Sequence, residues 1–421
     1  MPKSIYLINC PPGWLKTAPL NLVFLQTYLK NHGVSVKAVD LNMAAYQLLR
    51  LEPQRWLGLN KDLEAGLFAQ LSEKFAPLIE YLYQDMAAYD IIGLSISGRS
   101  QSFGLALAGN IKDRYPEKTI VFGGPQTLSL ARQGRLGPTD RWVVGEGEIP
   151  LAKIAEGDPG QIFQFEELPD LDRLPFPDFG CVNLKAYSPA IPLLSSRGCP
   201  YACRFCSERL LYKKLKSHSP GYMVEAIKYL KRSHQISTFV FCDSLINHTD
   251  GWLDAFCAKL MREVPGIKWE AQFRVKPGFS LDTARLLKQS GCYNLFVGLE
   301  SGCDKVLTQM HKGFDTGLAE KTLKTLHTAG LHFEVSLIAG FPDETEDDFR
   351  ETVDFLRAHK NIIPKIAQVN PFMDHLGQYP DKQFPDTQGW ERTQRLVSFF
   401  QEEKIKYTKS FVGNLGYPLP A

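Results

Sequence analysis

Two series of alternating strand and helix patterns, separated by a stretch rich in proline and aspartate, dominate the sequence. In the first series, amphipathic segments such as Leu20–Lys30, Leu63–Met86 and Leu105–Ile111 lie between short β-rich runs. These runs are Ser4–Asn9, Val34–Val39, Ile91–Ser97, Thr119–Phe122 and Trp142–Val144. Strands that alternate with helices favour right-handed crossovers and a parallel sheet with helices on both faces. We therefore predict an α/β protein whose N-terminal domain is doubly wound and Rossmann-like, with ligands beyond the carboxyl ends of its strands.

The second series predicts a partial TIM-like barrel of six β-then-α units. Its strand-like runs are Ile191–Ser195, Thr238–Cys242, Trp269–Val275, Leu295–Leu299, Phe333–Ile338 and Ile366–Asn370. One further helix is expected at about residues 390–403. We predict an N-terminal domain at 1–160, a linker or strap at 161–186, the barrel at 187–375 and a C-terminal helical extension at 376–421.

The composition is that of a folded protein from a reducing compartment. The chain has 48 Lys and Arg against 46 Asp and Glu, and its net charge of +2 predicts no general nucleic-acid-binding surface. No apolar run reaches the roughly 20 residues of a membrane-spanning helix, and the N-terminus does not look like a signal peptide. The nine cysteines are an odd number and mostly scattered, which argues against a disulfide framework. We expect a cytoplasmic enzyme without a transmembrane segment.

Three cysteines, Cys199, Cys203 and Cys206, follow the first strand of the second series in a C-x3-C-x2-C spacing. One interpretation is a structural zinc site with a remote fourth ligand such as His218. The other is a [4Fe–4S] cluster held by three thiolates, which leaves one iron open for a substrate or cofactor. The loop lies at the strand end where a barrel carries its chemistry.

This loop, with the aromatic Phe205 just before the last cysteine, resembles that of the radical S-adenosylmethionine (SAM) superfamily. The resemblance spans residues 187–375 and implies that the three cysteines hold a [4Fe–4S] cluster whose open iron binds the amino and carboxylate groups of SAM. It implies that an electron from the cluster cleaves SAM to a 5′-deoxyadenosyl radical, which abstracts hydrogen from an unactivated carbon. An electron donor such as flavodoxin or ferredoxin is implied as well.

Further residues at the ends of successive strands match the superfamily. The resemblance assigns Asp243 and Ser244 to the amino group of SAM, Arg274 to its carboxylate, and Glu300 and Ser301 to its ribose. Taken alone, each has an ordinary interpretation, as a capping residue, an ion-pair partner or a turn. The full set of implied SAM contacts is Phe205, Asp243, Ser244, Arg274, Glu300, Ser301, Gly340 and Asn370.

The first series resembles the cobalamin-binding domain that precedes the radical core in one large subfamily, with matches such as CPPGW (10–14), FGGPQTL (122–128) and VVGEGE (143–148). No histidine lies near the first strand, since the first in the chain is His32. Cobalamin is therefore expected without histidine ligation to cobalt, and a domain that keeps the fold without the cofactor is the alternative. The implied cobalamin contacts are Pro11, Pro12, Ser95, Ser97, Gly123, Gly124, Pro125, Gly145 and Glu146.

Together, the two resemblances imply a radical methyltransferase that moves a methyl group from methylcobalamin to an unactivated carbon. The same architecture catalysing a non-methylating reaction, such as cyclisation, ring contraction or rearrangement, is the first alternative. A corrinoid- or nucleotide-binding sensor with a structural metal is the second. A tRNA methylthiotransferase is disfavoured, because no second cysteine trio or basic RNA module is visible. We expect a small-molecule or lipid substrate. Aromatic residues such as Tyr379, Phe384 and Trp390 either contact it or serve in packing.

Overall fold

The computed structural model describes residues 2–57, 61–74, 76–137, 141–374, 379 and 383–408. These residues form two compact units, one up to Ile191 and one from Pro192 onward. Each unit is built on a six-stranded sheet. The predicted α/β fold class is thereby confirmed. No helix within the described residues is long and apolar enough to cross a membrane.

The first unit contains a parallel, doubly wound sheet. Its strands are β1 (Ile5–Asn9), β2 (Val36–Val39), β3 (Ile91–Ser95), β4 (Thr119–Gly123), β5 (Arg141–Val144) and β6 (Ile162–Gln164). The strand order is β2-β1-β3-β4-β5-β6, and each neighbouring pair is parallel. The order reverses between β1 and β3, where open α/β sheets form their ligand crevice.

Helices connect these strands and cover both faces of the sheet. They are α1 (Leu20–Asn31), α2 (Leu41–Leu49), α3 (Pro53–Leu57), α4 (Lys61–Lys74), α5 (Ala76–Ala87), α6 (Gln101–Arg114), α7 (Gln126–Arg132) and α8 (Glu148–Glu156). Ile8, Leu94 and Phe103 belong to a buried core cluster that includes residues of α2, α4, α5 and α6. Alternate residues such as Leu7 are also buried and face the opposite side, and α1 packs against α8.

The sequence analysis located five strands of this sheet and missed the sixth. Strand β6 lies in the stretch predicted as a linker and pairs in parallel with β5. It has three residues, of which Phe163 is 4% exposed and Ile162 46% exposed. So short an alternation gives little periodic signal. The helix predicted at 63–86 corresponds to the two helices α4 and α5.

The second unit carries a six-stranded sheet in simple sequential order. Its sheet strands are β7 (Ile191–Leu193), β10 (Thr238–Phe241), β11 (Lys268–Phe273), β12 (Cys292–Glu300), β13 (Phe333–Ala339) and β14 (Lys365–Pro371). The order is β14-β13-β12-β11-β10-β7, and β10 to β14 run parallel to one another. This order is that of consecutive β/α units in a barrel. A short antiparallel pair, β8 (Ser196–Arg197) and β9 (Lys216–Ser217), lies outside this sheet.

Helices follow the strands of the second unit, and several start at side-chain caps. They are α9 (Glu208–Leu211), α10 (Pro220–His234), α11 (Trp252–Glu263), α12 (Leu281–Gln289), α13 (Asp304–Gln309), α14 (Thr316–Thr328), α15 (Glu346–His359) and α16 (Thr387–Glu402). Ser219 caps α10, with Pro220 in its first turn. Thr345 and Asp348 form a capping box on α15.

Candidate functional site

The three cysteines lie in the loop enclosed by β8 and β9. Pairing of Ser196 with Ser217 fixes the two ends of this loop. Inside it, the Cys206 amide donates to the Cys203 carbonyl at 3.2 Å, and the Arg204 amide donates to the Met310 carbonyl at 3.0 Å. The loop therefore has a defined backbone, anchored to the end of α13.

The cysteine side chains are sheltered and electrostatically coupled. Cys203 is buried, and Cys199 and Cys206 are partly buried. Burial raises the pKa of Cys199, and raises that of Cys206 to about 11, with a further contribution from the neighbouring thiols. Within the described residues, no three His, Cys, Asp or Glu side chains stand in the arrangement of an assembled metal site. The ring of His218, the candidate zinc ligand, stacks on Tyr222 with 4.0 Å between ring centres.

Arg274 reaches the cysteine loop from the end of β11. Its side chain is buried, and Nη1 lies 3.4 Å from Cys203 Sγ. The guanidinium carbon lies 3.6 Å from the centre of the Tyr201 ring, a cation–π contact. Nε and Nη2 are buried without a hydrogen-bond partner in the described part of the chain. The carboxylate role predicted for Arg274 is not tested by these contacts, but its free N–H groups are compatible with it.

Asp243, predicted at the amino group of SAM, is engaged inside the protein. Its carboxylate accepts hydrogen bonds from the Ser195 amide at 2.9 Å, the Ser195 hydroxyl at 2.7 Å and the Ser196 hydroxyl at 2.6 Å. Burial raises its pKa to about 6. Asp243 thus ties the end of β10 to the end of β7. The adjacent Ser244 is partly buried and donates to Glu208, whose pKa is raised by burial.

Glu300, predicted at the ribose, forms a buried ion pair that the sequence analysis missed. Its Oε1 lies 3.3 Å from Lys312 Nζ, and Oε2 accepts from the Ser336 hydroxyl at 3.0 Å. Lys312 also lies 5.5 Å from the Phe205 ring centre and 5.4 Å from that of Phe314. No periodicity marks Lys312, because its partner lies on another element. The pair brings β12 together with the residue that precedes Cys206.

Two other predicted contacts have structural roles in this arrangement. The Ser301 hydroxyl lies 3.0 Å from that of Thr352 and accepts from the Cys303 amide. Gly340 has φ +70°, and a Cβ there would lie 2.4 Å from the Gly389 Cα, so β13 and α16 approach closely at this point. Asn370 lies in β14 and is partly buried.

An aromatic cluster lies beside Phe205. Its buried members Phe341 and Phe372 contact one another edge to face at 5.0 Å. Tyr379 and Phe384, predicted as substrate contacts, pack against this cluster together with Phe205. Trp390, the third predicted contact, lies in α16.

The first unit places most predicted cobalamin contacts at one edge of its sheet. Pro11 and Pro12 follow β1 and are buried. The next residue, Gly13, donates its amide to Asn42 Oδ1 at 2.6 Å, and its carbonyl accepts from Trp56 Nε1. Trp14 is 50% exposed. The loop after β1 is therefore held by hydrogen bonds at Gly13, whereas the side chain of Trp14 is exposed to solvent.

Residues after β3 and β4 meet at the same edge. A Cβ on Gly124 would lie 2.5 Å from the Ile96 carbonyl, so a larger residue would separate the two loops. Ser95 accepts from Asn21 Nδ2 at 2.7 Å, and the Ser97 hydroxyl lies 3.1 Å from that of Ser100. A Cβ on Gly123 would meet no atom within 4 Å, and Pro125 begins α7 as its N-cap.

Gly145 and Glu146 follow β5 at the next position along the sheet. Glu146 is buried, and its carboxylate accepts from the Leu168 amide at 3.1 Å. His32 lies elsewhere, at the C-cap of α1, where its ring stacks on Tyr28.

The chain is similar in sequence to a known protein family and to several curated relatives. Residues 193–356 match the family described as the Radical SAM superfamily. An uncharacterized methyltransferase of Pyrococcus horikoshii is 26% identical over 326 residues, which cover 71% of this chain and 68% of the relative. The bacteriochlorophyllide d C-12(1)-methyltransferase of Chlorobaculum tepidum is 24% identical, over 69% of this chain and 65% of the relative. An anaerobic magnesium-protoporphyrin IX monomethyl ester cyclase of Rubrivivax gelatinosus is 26% identical, over 51% and 40%.

Solved structures share the fold over most of the chain. The cobalamin-dependent S-adenosylmethionine radical enzyme OxsB, with aqua-cobalamin and SAM bound, has a TM-score of 0.67 at 16% identity, and the match covers 95% of this chain but only 56% of OxsB. The methyltransferase TsrM of Kitasatospora setae, with cobalamin and a [4Fe–4S] cluster, has a TM-score of 0.65 at 16% identity, over 88% and 75%. Residues 193–356 of the chain therefore match a radical SAM domain, and the fold of the chain is similar to that of OxsB and TsrM.

Proposed function

We propose that this chain is a cobalamin-dependent radical SAM enzyme that transfers a methyl group to an unactivated carbon of a small molecule. When bound, the [4Fe–4S] cluster supplies the electron that cleaves SAM, and methylcobalamin supplies the methyl group. The observation that carries the proposal is the buried Arg274, which contacts Cys203 and has two further N–H-bearing atoms without a hydrogen-bond partner among the described residues. A buried charged donor without a partner is costly, so an anionic ligand is favoured there.

In this proposal Cys199, Cys203 and Cys206 hold the cluster through their thiolates. Their loop is sheltered and anchored, which suits a cluster that must exclude water. Three protein ligands leave one iron open for SAM. The electron comes from an external protein donor.

The contacts of SAM divide into binding and positioning residues. Arg274 binds the carboxylate through its free N–H groups, and Ser244 contacts the amino group. Glu300 accepts a hydrogen bond from a ribose hydroxyl through a remaining lone pair of its carboxylate, while Lys312 neutralises the carboxylate charge. Asp243 and Ser301, the other implied contacts of the amino group and the ribose, also hold the strand ends in place through their hydrogen bonds within the protein.

The remaining implied SAM contacts lie around the adenine. Asn370 contacts the adenine edge, and Phe205 belongs to the cluster loop itself. Gly340 supports this region by allowing the close approach of α16.

Cobalamin binds, in this proposal, at the carboxyl edge of the sheet in the first unit. Gly123 lies at this edge, and a Cβ there would meet no atom within 4 Å, which is compatible with close approach of a ligand. The short side chains of Ser95 and Ser97 offer hydroxyls at the same edge, as do backbone groups of the loops after β1 and β5. No histidine ligates the cobalt.

Methyl transfer is favoured by relatives that are named methyltransferases. A non-methylating ring closure is the second candidate, since a cyclase is similar over half of this chain. The substrate is a small molecule with an apolar part, which the aromatic cluster around Phe205, Tyr379 and Phe384 would contact.

Anaerobic reconstitution with iron and sulfide tests the radical core. The wild-type chain should bind close to four irons and produce 5′-deoxyadenosine from SAM under dithionite, and Cys206→Ala should do neither. Cys10→Ala, which removes a buried cysteine of the first unit, is the matched control and should retain both. A colourless protein that binds zinc, or cluster loss in Cys10→Ala, would refute the ligand assignment.

Corrinoid binding and methyl transfer are tested separately. We expect the full chain to retain about one equivalent of cobalamin after desalting, and the label of methyl-labelled SAM to appear in methylcobalamin. Gly123→Leu should lose the corrinoid but keep 5′-deoxyadenosine formation. Gly109→Leu, an equal change on an exposed position of α6, should keep both. Retention of cobalamin by Gly123→Leu would place the binding site elsewhere.

A further inference from the structure

The side chain of Asn247 holds the backbone at Arg274 through two hydrogen bonds. The Arg274 amide donates to Asn247 Oδ1 at 3.1 Å, and the Arg274 carbonyl accepts from Asn247 Nδ2 at 2.8 Å. The guanidinium lies against the Tyr201 ring, and Phe314 lies 5.7 Å away. Arg274 is only 7% exposed, and its guanidinium packs against these two rings.

The two edges of this guanidinium face different groups. Nη1 donates to Cys203 Sγ at 3.4 Å, which is a normal distance for a hydrogen bond to sulfur. Nε and Nη2 form the other edge and have no partner among the described residues. In arginine this edge presents two parallel N–H groups, the geometry that binds a carboxylate through both oxygens. No described acidic side chain forms an ion pair with Arg274, so its charge is available to a ligand.

We propose that Arg274 couples SAM binding to the reduction potential of the cluster. This inference rests on the proposed function. One edge donates to the Cys203 thiolate, and its positive charge stabilises the reduced, more negative cluster. The other edge binds the carboxylate of SAM. Because the bound carboxylate offsets the charge of Arg274, the two events are linked through one side chain, and linkage is reciprocal.

Two substitutions separate the two edges. Arg274→Gln removes the charge, and Arg274→Lys keeps the charge but cannot bind a carboxylate in the two-pronged manner. Arg204→Gln is the matched control, because it removes a positive charge from the cysteine loop itself, where the guanidinium donates to the Tyr379 hydroxyl at 2.8 Å. Iron and sulfide content and circular dichroism establish that each reconstituted full-length variant is folded and loaded.

The readouts are the midpoint potential of the cluster, from potentiometric titration followed by electron paramagnetic resonance (EPR), and the Kd of SAM from equilibrium dialysis. Arg274→Gln should have a more negative midpoint potential without SAM, bind SAM at least tenfold more weakly, and show a different shift of potential on SAM saturation. Arg274→Lys should also bind SAM at least tenfold more weakly, with a potential closer to that of the wild type. Arg204→Gln should change the potential less than Arg274→Gln.

Two results would overturn the coupling, and a third would refute the proposed function. An unchanged potential in Arg274→Gln with weakened SAM binding would leave only the carboxylate contact. Unchanged potential and unchanged affinity would make Arg274 purely structural. A wild-type chain that forms no cluster would refute the proposed function itself, which distinguishes the two failures.

Discussion

The buried ion pair between Lys312 and Glu300 allows a quantitative test of the second unit. Lys312 is 4% exposed and Glu300 8% exposed, and the charged atoms are 3.3 Å apart. Removing one partner of a buried pair costs about 3–5 kcal/mol, because the other charge stays buried without compensation. The Ser336 hydroxyl still donates to Glu300, so we expect Lys312→Met to cost about 3 kcal/mol. In a unit of this size that corresponds to a decrease in Tm of roughly 6–12 °C.

Thermal unfolding of the full-length, cofactor-free chain by circular dichroism measures this decrease. The double variant Lys312→Met/Glu300→Gln should recover most of the lost stability, since no unpaired charge remains. Lys324→Met is the matched control, because Lys324 pairs with Glu320 on the exposed face of α14, and exposed pairs contribute at most about 1 kcal/mol. Equal losses in Lys312→Met and Lys324→Met, or a double variant no more stable than Lys312→Met, would refute the reasoning.

Three further predictions concern packing, protonation and cobalt. Gly340→Ala should lower the free energy of unfolding by about 2 kcal/mol or more, since its Cβ would overlap Gly389; Gly278→Ala, with similar φ but open surroundings, should cost less, and equal costs would contradict the close approach. The pKa of Asp243 is raised to about 6, so the folded state holds its proton more tightly than the unfolded state does. As the pH rises from about 4 to 7, the Tm of the wild type should therefore fall relative to that of Asp243→Asn. A Tm difference that stays constant over this range would contradict the prediction. The EPR spectrum of bound cob(II)alamin should be unchanged by ¹⁵N-histidine labelling, whereas a labelled splitting would mean that His32 or another histidine ligates the cobalt.

Much of the strand and helix pattern was predictable because buried parallel strands are continuous apolar runs. Strands β13 and β14 extend only one residue beyond the predicted limits at their ends. Helices α2, α7 and α8 were not predicted, because their nine, seven and nine residues give few periodic positions. Strand order within the sheets follows from general rules of connection, whereas a three-residue strand such as β6 depends on neighbours that the sequence does not identify.

The site was predictable in position but not in its contacts. Strand ends gather at one edge of a parallel sheet, so Arg274 and Glu300 could be assigned to a common region. The hydrogen-bond partners of such residues come from distant segments. Cys203 lies 71 residues from Arg274 in the sequence, and Ser195 lies 48 residues from Asp243. No local pattern encodes such pairs. The sequence therefore predicts which side chains lie at the strand ends, but not which of them are hydrogen-bonded within the protein.

Comparison of two buried arginines shows why the occupancy of polar atoms separates scaffold from ligand-binding residues. Arg392 is 2% exposed and also has an unpartnered Nε, yet its Nη1 donates to the Glu344 carboxylate at 2.8 Å. Its charge is therefore neutralised by the protein, and one idle N–H adds only a modest cost. Arg274 has no such carboxylate among the described residues, and both N–H groups of its carboxylate-binding edge are idle. The missing anion, more than an idle donor, is therefore the basis on which we propose that Arg274 binds a ligand.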